Sequence, residues 1–361
     1  MSNLSKIPKK YKNRKIYSFS KLTTFEQCQY QYYLGYIEGL EGKSSIYSVL
    51  GSLIHEQTEL LQQRKITNIK ALQNFKDKLL EMELSGKIKF ISKKVEDNYK
   101  QCLYHYLIYY KPFEATKTAL EKEFYTEIEG IIVRGFIDII LLHEESQDKN
   151  LLPQQEISII DYKTSSKYSG NEEKKHALQL ILYAYAMERI YKAKIKMIGW
   201  NMLKYATVTY FKDIPPKTKK NPVWSVVEKV KICLRNEIVI KHEKEIITEM
   251  QKLNKSDIEI ELALRSDEIP KEIAEKFKIE DCIVTWDYNK EEKNRLIDFI
   301  INTVKEIENR KNKEEFLAVE INNGTKFYCE VLCDYSEYCE QLKKYKEETQ
   351  SENNLLEDLF G

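Results

Sequence analysis

The sequence has almost no net charge: 58 Lys and Arg stand against 57 Asp and Glu, a balance of +1. A chain basic or acidic throughout is thereby excluded, and any surface for a polyanion has to be local. Glycine and proline are scarce, at 11 and 7 in 361 residues, which excludes collagen-like and low-complexity material. No stretch approaches the roughly 18 uncharged apolar residues of a membrane-spanning helix, so no membrane partner is expected. The basic start, MSNLSKIPKKYKNRK, has no apolar segment behind it, so it is no secretory signal and the cytoplasm is the expected compartment. A phosphate-binding G-x-x-x-x-G-K-[ST] run is missing too. Gly42-Lys43-Ser44 lacks the upstream glycine, so any ATP-driven motor has to be a separate partner. What the chain does have is aromatic residues, 25 Tyr and 13 Phe, far too many for a disordered polypeptide.

Residues 1–16 carry basic residues without an acid and read as a loose, flexible arm. From Tyr17 the run YSFSKLTTFEQCQYQYYLGYI predicts a helix capped by Ser20, with Phe25, Cys28 and Tyr32 on one side. A second helix is expected from about Ser45, and a charged helical insertion over about 67–118. Residues 119–142 change period: β-branched runs punctuated by Gly130 and Gly135 suit a strand, a turn and a strand. EISIIDYK is a further strand, 174–192 an amphipathic helix, and KMIGWNMLKY a strand. Strands interleaved with helices in this order predict an α/β fold with a mixed central sheet flanked by helices. The core is expected over 17–204. Beyond it, 205–315 reads as a charged, mostly helical insertion, 316–345 as a cysteine-bearing segment and 346–361 as an acidic tail.

Asp161-Tyr162-Lys163 closes the apolar strand. Residues two apart on a strand share a face, so Asp161 and Lys163 are neighbours. Asp138, in Gly135-Phe136-Ile137-Asp138, sits on a strand expected to pair with it. Two carboxylates converging at strand ends suit Mg²⁺ or Mn²⁺, and a lysine beside them can assist an attacking water or offset charge on a phosphoryl group. A bare Asp-x-Lys is more often a solvated ion pair, and a lone His55 more often a structural histidine. Four short patterns in sequence order weigh against those bland readings. They are Gly51-x-x-x-His55, Gly135-x-x-Asp138, Asp161-Tyr162-Lys163-Thr164 and Gln179-x-x-x-Tyr183-Ala184.

Together these patterns resemble the PD-(D/E)XK nuclease superfamily, and within it the branch that contains the RecB and AddB nuclease domains. The resemblance implies a restriction-endonuclease-like fold and metal-dependent hydrolysis of DNA phosphodiesters. It implies His55, Asp138, Asp161 and the Tyr162 carbonyl as metal ligands and Lys163 as the catalytic lysine, with Gln179 and Tyr183 contacting the DNA strand. Glu121 matches a further acidic position, for which Glu123 competes. The 22 residues between Asp138 and Asp161 exceed a tight hairpin, so HEESQDKNLLPQQE reads as an insertion at the turn.

Of seven cysteines, Cys102, Cys233 and Cys282 are isolated in periodic segments and read as buried and inert. Cys329, Cys333 and Cys339 lie close together beside Tyr and Asp, which suggests shared coordination, yet no fourth ligand is near. Cys28, just before an aromatic run, is similar to the distant cysteine of the iron-staple nucleases, a set that includes AddB, the CRISPR adaptation nucleases and related single-strand exonucleases. That resemblance implies a [4Fe-4S] cluster on Cys28, Cys329, Cys333 and Cys339, with structural Zn²⁺ as the alternative. Such a clip would close a loop of about 300 residues.

The resulting expectation is a metal-dependent DNA exonuclease, acting on single-stranded ends in recombination, repair or phage DNA processing. A separate helicase or a replication or recombination protein is the expected partner. The alternative is a nuclease-fold subunit that binds DNA ends or partners without cutting. Candidate DNA contacts are Lys6–Lys15, Lys167 with Lys174 and Lys175, Lys217–Lys220, and tyrosines such as Tyr30, Tyr32, Tyr33 and Tyr36.

Overall fold

The computed structural model describes residues 7–85, 90–143, 156–216, 224–266 and 268–349. Most of the loop read as a turn insertion, the Lys217–Lys220 run and most of the acidic tail fall outside those residues. In chain order the elements that build the sheet and its flanks are β1 (Ile16–Ser18), α1 (Phe19–Gln27), α2 (Gln29–Tyr32), α3 (Ile46–Gln62), α4 (Asn68–Leu84), α5 (Lys93–Tyr109), β2 (Lys117–Ile128), β3 (Ile131–Leu142), β4 (Glu156–Lys163), α6 (Gly170–Tyr191) and β5 (Lys194–Ile214). They are followed by β6 (Ser225–Leu234), α7 (Ile238–Lys241), α8 (Glu243–Lys252), α9 (Asp257–Leu264), β7 (Phe277–Trp286) and α10 (Lys290–Asn309).

The fold is mixed α/β, as expected: seven strands form one sheet, ordered β1-β3-β4-β5-β6, with β2 beside β3 and β7 beside β5. The β1–β3 and β4–β5 pairs are parallel and the others antiparallel. Helices cover both faces. On one, Phe25, Ile181, Leu296 and Ile300 of α1, α6 and α10 close over Trp200 and Ile159. On the other, Leu50, Ile54, Phe75, Leu103 and Tyr106 of α3, α4 and α5 bury Ile139, Ile160 and Tyr162. Apolar side chains from both sides of β4 are therefore out of water, which is why its sequence reads as a run and not as an alternation.

Local chemistry sets the helix starts. Ser45, Thr67 and Ser92 cap α3, α4 and α5, each side chain accepting from a backbone N–H three residues on. The cap of α1 is Ser18 and not Ser20: its Oγ accepts from Lys21 N at 3.2 Å. The expected single helix also breaks at Cys28, whose extended backbone (φ −158°) ends α1 before α2 begins.

Two further expectations change. The end of the basic arm is less loose than its charge suggested, because Arg14 pairs with Glu127 and Lys15 with Glu308 at 2.8 Å. Residues 205–315 hold strands of the sheet beside the expected helices. β5 runs to Ile214, and β6 and β7 pair with it antiparallel. This half of the sheet has its own core, in which Val208, Tyr210 and Phe277 meet Ile246 and Met250 of α8. SVVEKVKICL carries the two-residue alternation of a strand, but its apolar set of Val226, Val230 and Ile232 stays exposed while charged residues alternate with it. Among the described residues, no helix is long and apolar enough to cross a membrane.

Candidate metal centre and active site

β3 pairs with β2 on one edge from Ile131 to Leu142, with a break at Asp138. The opposite edge is shared, β1 taking Ile132–Arg134 and β4 taking Ile139–Leu142. Residues 135–138 between them have no strand partner there, and this notch floors a cavity of about 470 Å³. Its walls include His55, Asp138, Asp161, Lys163, Gln179 and Tyr183, so the six side chains drawn from four separate sequence patterns meet in one place. Gly135 is required here: a Cβ on it would lie 2.6 Å from the Phe124 ring that crosses it.

Asp138 occupies the point where the β3–β4 ladder stops. Its Oδ2 accepts the Tyr162 N–H at 2.7 Å, a side chain replacing the next backbone partner. The Tyr162 carbonyl, on the same peptide strand, lies 3.1 Å from His55 Nε2, and His55 Nδ1 lies 3.7 Å from Asp138 Oδ2. Glu121 comes from the other side. In the β2–β3 register Leu120 faces Ile139 and Lys122 faces Ile137, which sets Glu121 opposite Asp138. The ligand atoms of His55, Glu121 and Asp138 all lie within 4.8 Å of one another. Glu123 points elsewhere, to Arg134 Nε at 2.7 Å, which decides between the two glutamates. Glu121 has a left-handed backbone, φ +46°, inside a strand. Strain of this kind, at a non-glycine residue, is characteristic of functional sites.

Asp161 is 2 % exposed and holds Lys163 Nζ at 2.6 Å. It lies outside the trio of close ligand atoms, although it borders the same cavity. Lys163 Nζ also donates to Gln179 Oε1 at 3.0 Å, and Gln179 Nε2 donates to Tyr183 Oη at 2.8 Å. The i and i+4 positions of α6 thus form a relay from the ammonium into the helix, and Gln179 is not an idle polar residue on an apolar seam.

The electrostatics describe a place that favours a cation. Burial, and then the charge of Asp161, pushes Asp138 up to about 6. Glu121 stands at the open rim, where packing around its carboxyl and the charge of Asp138 push it up to about 7. Burial acts to lower the Lys163 ammonium, but the Asp161 carboxylate outweighs it and the pKa rises, so Lys163 is firmly protonated. Carboxylates held near neutrality by one another are relieved by a divalent ion as well as by protons. An imidazole nitrogen and two carboxylate oxygens form a donor set that suits a divalent metal ion.

Of the candidate DNA contacts, Lys167, Lys174 and Lys175 are exposed beyond β4, and Tyr32 is core. Cys102, Cys233 and Cys282 are buried and unpaired. Cys28 is brought to the C-terminal trio by direct stitching of the chain's two ends: Tyr30 N donates to Leu317 O at 3.1 Å and Lys43 N to Asp334 O at 2.8 Å. Burial, followed by the proximity of Cys28 and Cys339, pushes Cys329 up to about 11. Burial and the same neighbours push Cys333 up to about 12, against a backbone hydrogen bond at Tyr335 that works to lower it. Among the described residues only His55, Glu121 and Asp138 bring three ligand atoms within 4.8 Å of one another, so the cysteine sulfurs are neighbours without being gathered that closely.

A family model described as the PD-(D/E)XK nuclease superfamily matches residues 16–340. No curated protein matches the chain.

Proposed function

The chain belongs to the PD-(D/E)XK nuclease superfamily, and from that premise we propose that it is a DNA exonuclease working on single-stranded ends, in recombination, repair or phage DNA processing. The observation that supports this reading most is the notch in β3, where His55, Glu121 and Asp138 gather beside the Asp161–Lys163 pair. His55, Glu121 and Asp138 would hold Mg²⁺ or Mn²⁺, with the Tyr162 carbonyl and Asp161 completing the set. When bound, the ion supplies Lewis-acid polarisation of the phosphate and lowers the pKa of the attacking water.

The chain's own residues do the rest. Lys163 is fixed from two sides, by Asp161 and by Gln179, so its ammonium is preorganised toward the cavity and offsets charge that builds on the phosphate oxygens. Tyr183 anchors Gln179 and is itself buried, which leaves the relay little freedom. Gln179 and Tyr183 border the strand at the cavity wall. Cys28, Cys329, Cys333 and Cys339 would hold a [4Fe-4S] cluster, or Zn²⁺ in its place, and that group would supply a covalent clip between the two ends of the fold. The backbone hydrogen bonds that bring the segment of Cys28 to that of Cys329, Cys333 and Cys339 support this donor set.

The test is degradation of end-labelled linear and circular single strands under Mg²⁺ and Mn²⁺. Loss of the linear strand with the circle spared is expected, and Lys163→Ala is expected to lose about a hundredfold or more in rate while still binding DNA. Wild-type protein inert under both ions would refute the nuclease reading.

A further inference from the structure

The cavity at the metal centre does not end there. Ser18 and Arg134 line it and also line a second cavity of about 230 Å³. The second shares Ile16, Tyr17 and Lys21 with a third, of about 440 Å³, which reaches Tyr33, Tyr36 and the end of α10. We propose that the three are one trough that carries single-stranded DNA away from the cut, with a phosphate next to the scissile one seated between Lys21 and Arg134. This rests on the nuclease reading above and adds to it the route of the strand.

Charge supports the route. Outside the metal centre, the residues lining the trough include five cations, Lys15, Lys21, Arg134, Arg310 and Lys311, and one carboxylate, Glu308. Glu308 is already engaged, by Lys15 at 2.8 Å and by the Tyr17 hydroxyl. Lys21 has no carboxylate within ion-pair reach among the described residues, and its ammonium donates only to the Ile16 carbonyl, at 3.3 Å. Burial, and then repulsion from Arg134, lowers its pKa. Arg134 is paired with Glu123, whereas Lys21 has no carboxylate partner, so the small cavity they line holds an unbalanced cation that an anion would offset. Arg134 is held in direction, by Glu123 at its Nε and by the Phe136 ring 5.0 Å from its guanidinium carbon. Lys21 lies 5.4 Å from the Tyr36 ring, and Tyr36 is 43 % exposed. Ring faces beside a line of cations suit a strand whose bases are unpaired and free to stack. The trough therefore starts where chemistry is placed and ends on aromatic surface beside the cysteine segment.

The probe is oligothymidylate in which one phosphate at a time is an uncharged methylphosphonate. In wild-type protein with Mn²⁺, one position close to the cut is expected to lose about tenfold in kcat/KM. In Lys21→Met, which keeps the stem and removes the charge, that position is expected to cost less than about twofold, with KM raised and kcat unchanged. Anisotropy of the same labelled strands in EDTA carries the test without turnover, so it stands even if cleavage is not seen. Lys21→Met is expected to weaken the long strand about tenfold. Tyr36→Leu is expected to weaken the long strand and leave a dinucleotide unaffected. Equal sensitivity of wild type and Lys21→Met at every phosphate, or equal weakening of a blunt duplex, overturns the proposal. Circular dichroism of each variant separates lost contacts from lost fold.

Discussion

Replacing Asp161 by Asn separates what this carboxylate does for stability from what it does for chemistry. Asp161 is 2 % exposed and its Oδ2 sits 2.6 Å from Lys163 Nζ. The substitution keeps the shape and leaves a part-buried ammonium at the cavity wall, whose remaining partner is the neutral Gln179 Oε1 at 3.0 Å. Removing one member of a buried pair typically costs about 3–5 kcal/mol, and the surviving hydrogen bond places this case near 3 kcal/mol. For a chain of 361 residues, with an unfolding entropy near 2 cal/mol/K per residue, that is a fall in Tm of roughly 4 °C. The measurement is thermal and urea unfolding in EDTA, so that no metal contributes. The double variant Asp161→Asn with Lys163→Met removes the stranded charge and is expected to recover most of the loss, while having no nuclease activity. Single and double variants equally unstable, or Asp161→Asn as stable as wild type, would show that the pair is not the buried electrostatic unit described.

Gln179→Leu removes the acceptor that aims Lys163 and is expected to lower kcat about tenfold without changing Mn²⁺ affinity measured by calorimetry. Protein purified without air is expected to be brown with about four iron atoms per chain, and Cys28→Ala to be colourless and more easily unfolded. Stoichiometric zinc in colourless wild-type protein would put Zn²⁺ in the four-thiolate site. His105 is held neutral in the fold, at about 3, by burial and by Arg235 beside it. The unfolded chain therefore binds the extra proton, and stability present above pH 6.5 is lost as the pH falls toward 3, by up to about 1.4 kcal/mol per pH unit. His105→Gln is expected to flatten that acid limb in unfolding titrations.

Much of the site could be read along the chain. His55, Asp138, Asp161, Lys163, Gln179 and Tyr183 each stood in a short pattern, and all six line one cavity. The choice between Glu121 and Glu123 was also present in the sequence as arithmetic. The hairpin turns at Glu129 and Gly130, both with positive φ, and equal steps back and forward from that turn bring Glu121 to Asp138. The strands after Lys204 were harder to see. β6 is exposed along most of its length, and its Glu and Lys residues gave 225–234 the composition of an exposed helix.

Residue type and spacing alone singled out the side chains that line the cavity and indicated that the core is a mixed sheet, because strand alternation and helix periodicity are local properties. They could not determine the notch. That arises because β1 and β4, separated by more than a hundred residues of sequence, take the two ends of one edge of β3 and leave 135–138 uncovered. The placement of Lys21 against Arg134, and of Cys28 against the C-terminal thiols, follows from the same long-range packing. Neither has a trace in local sequence, since each depends on which surfaces exclude water from one another once the sheet has closed.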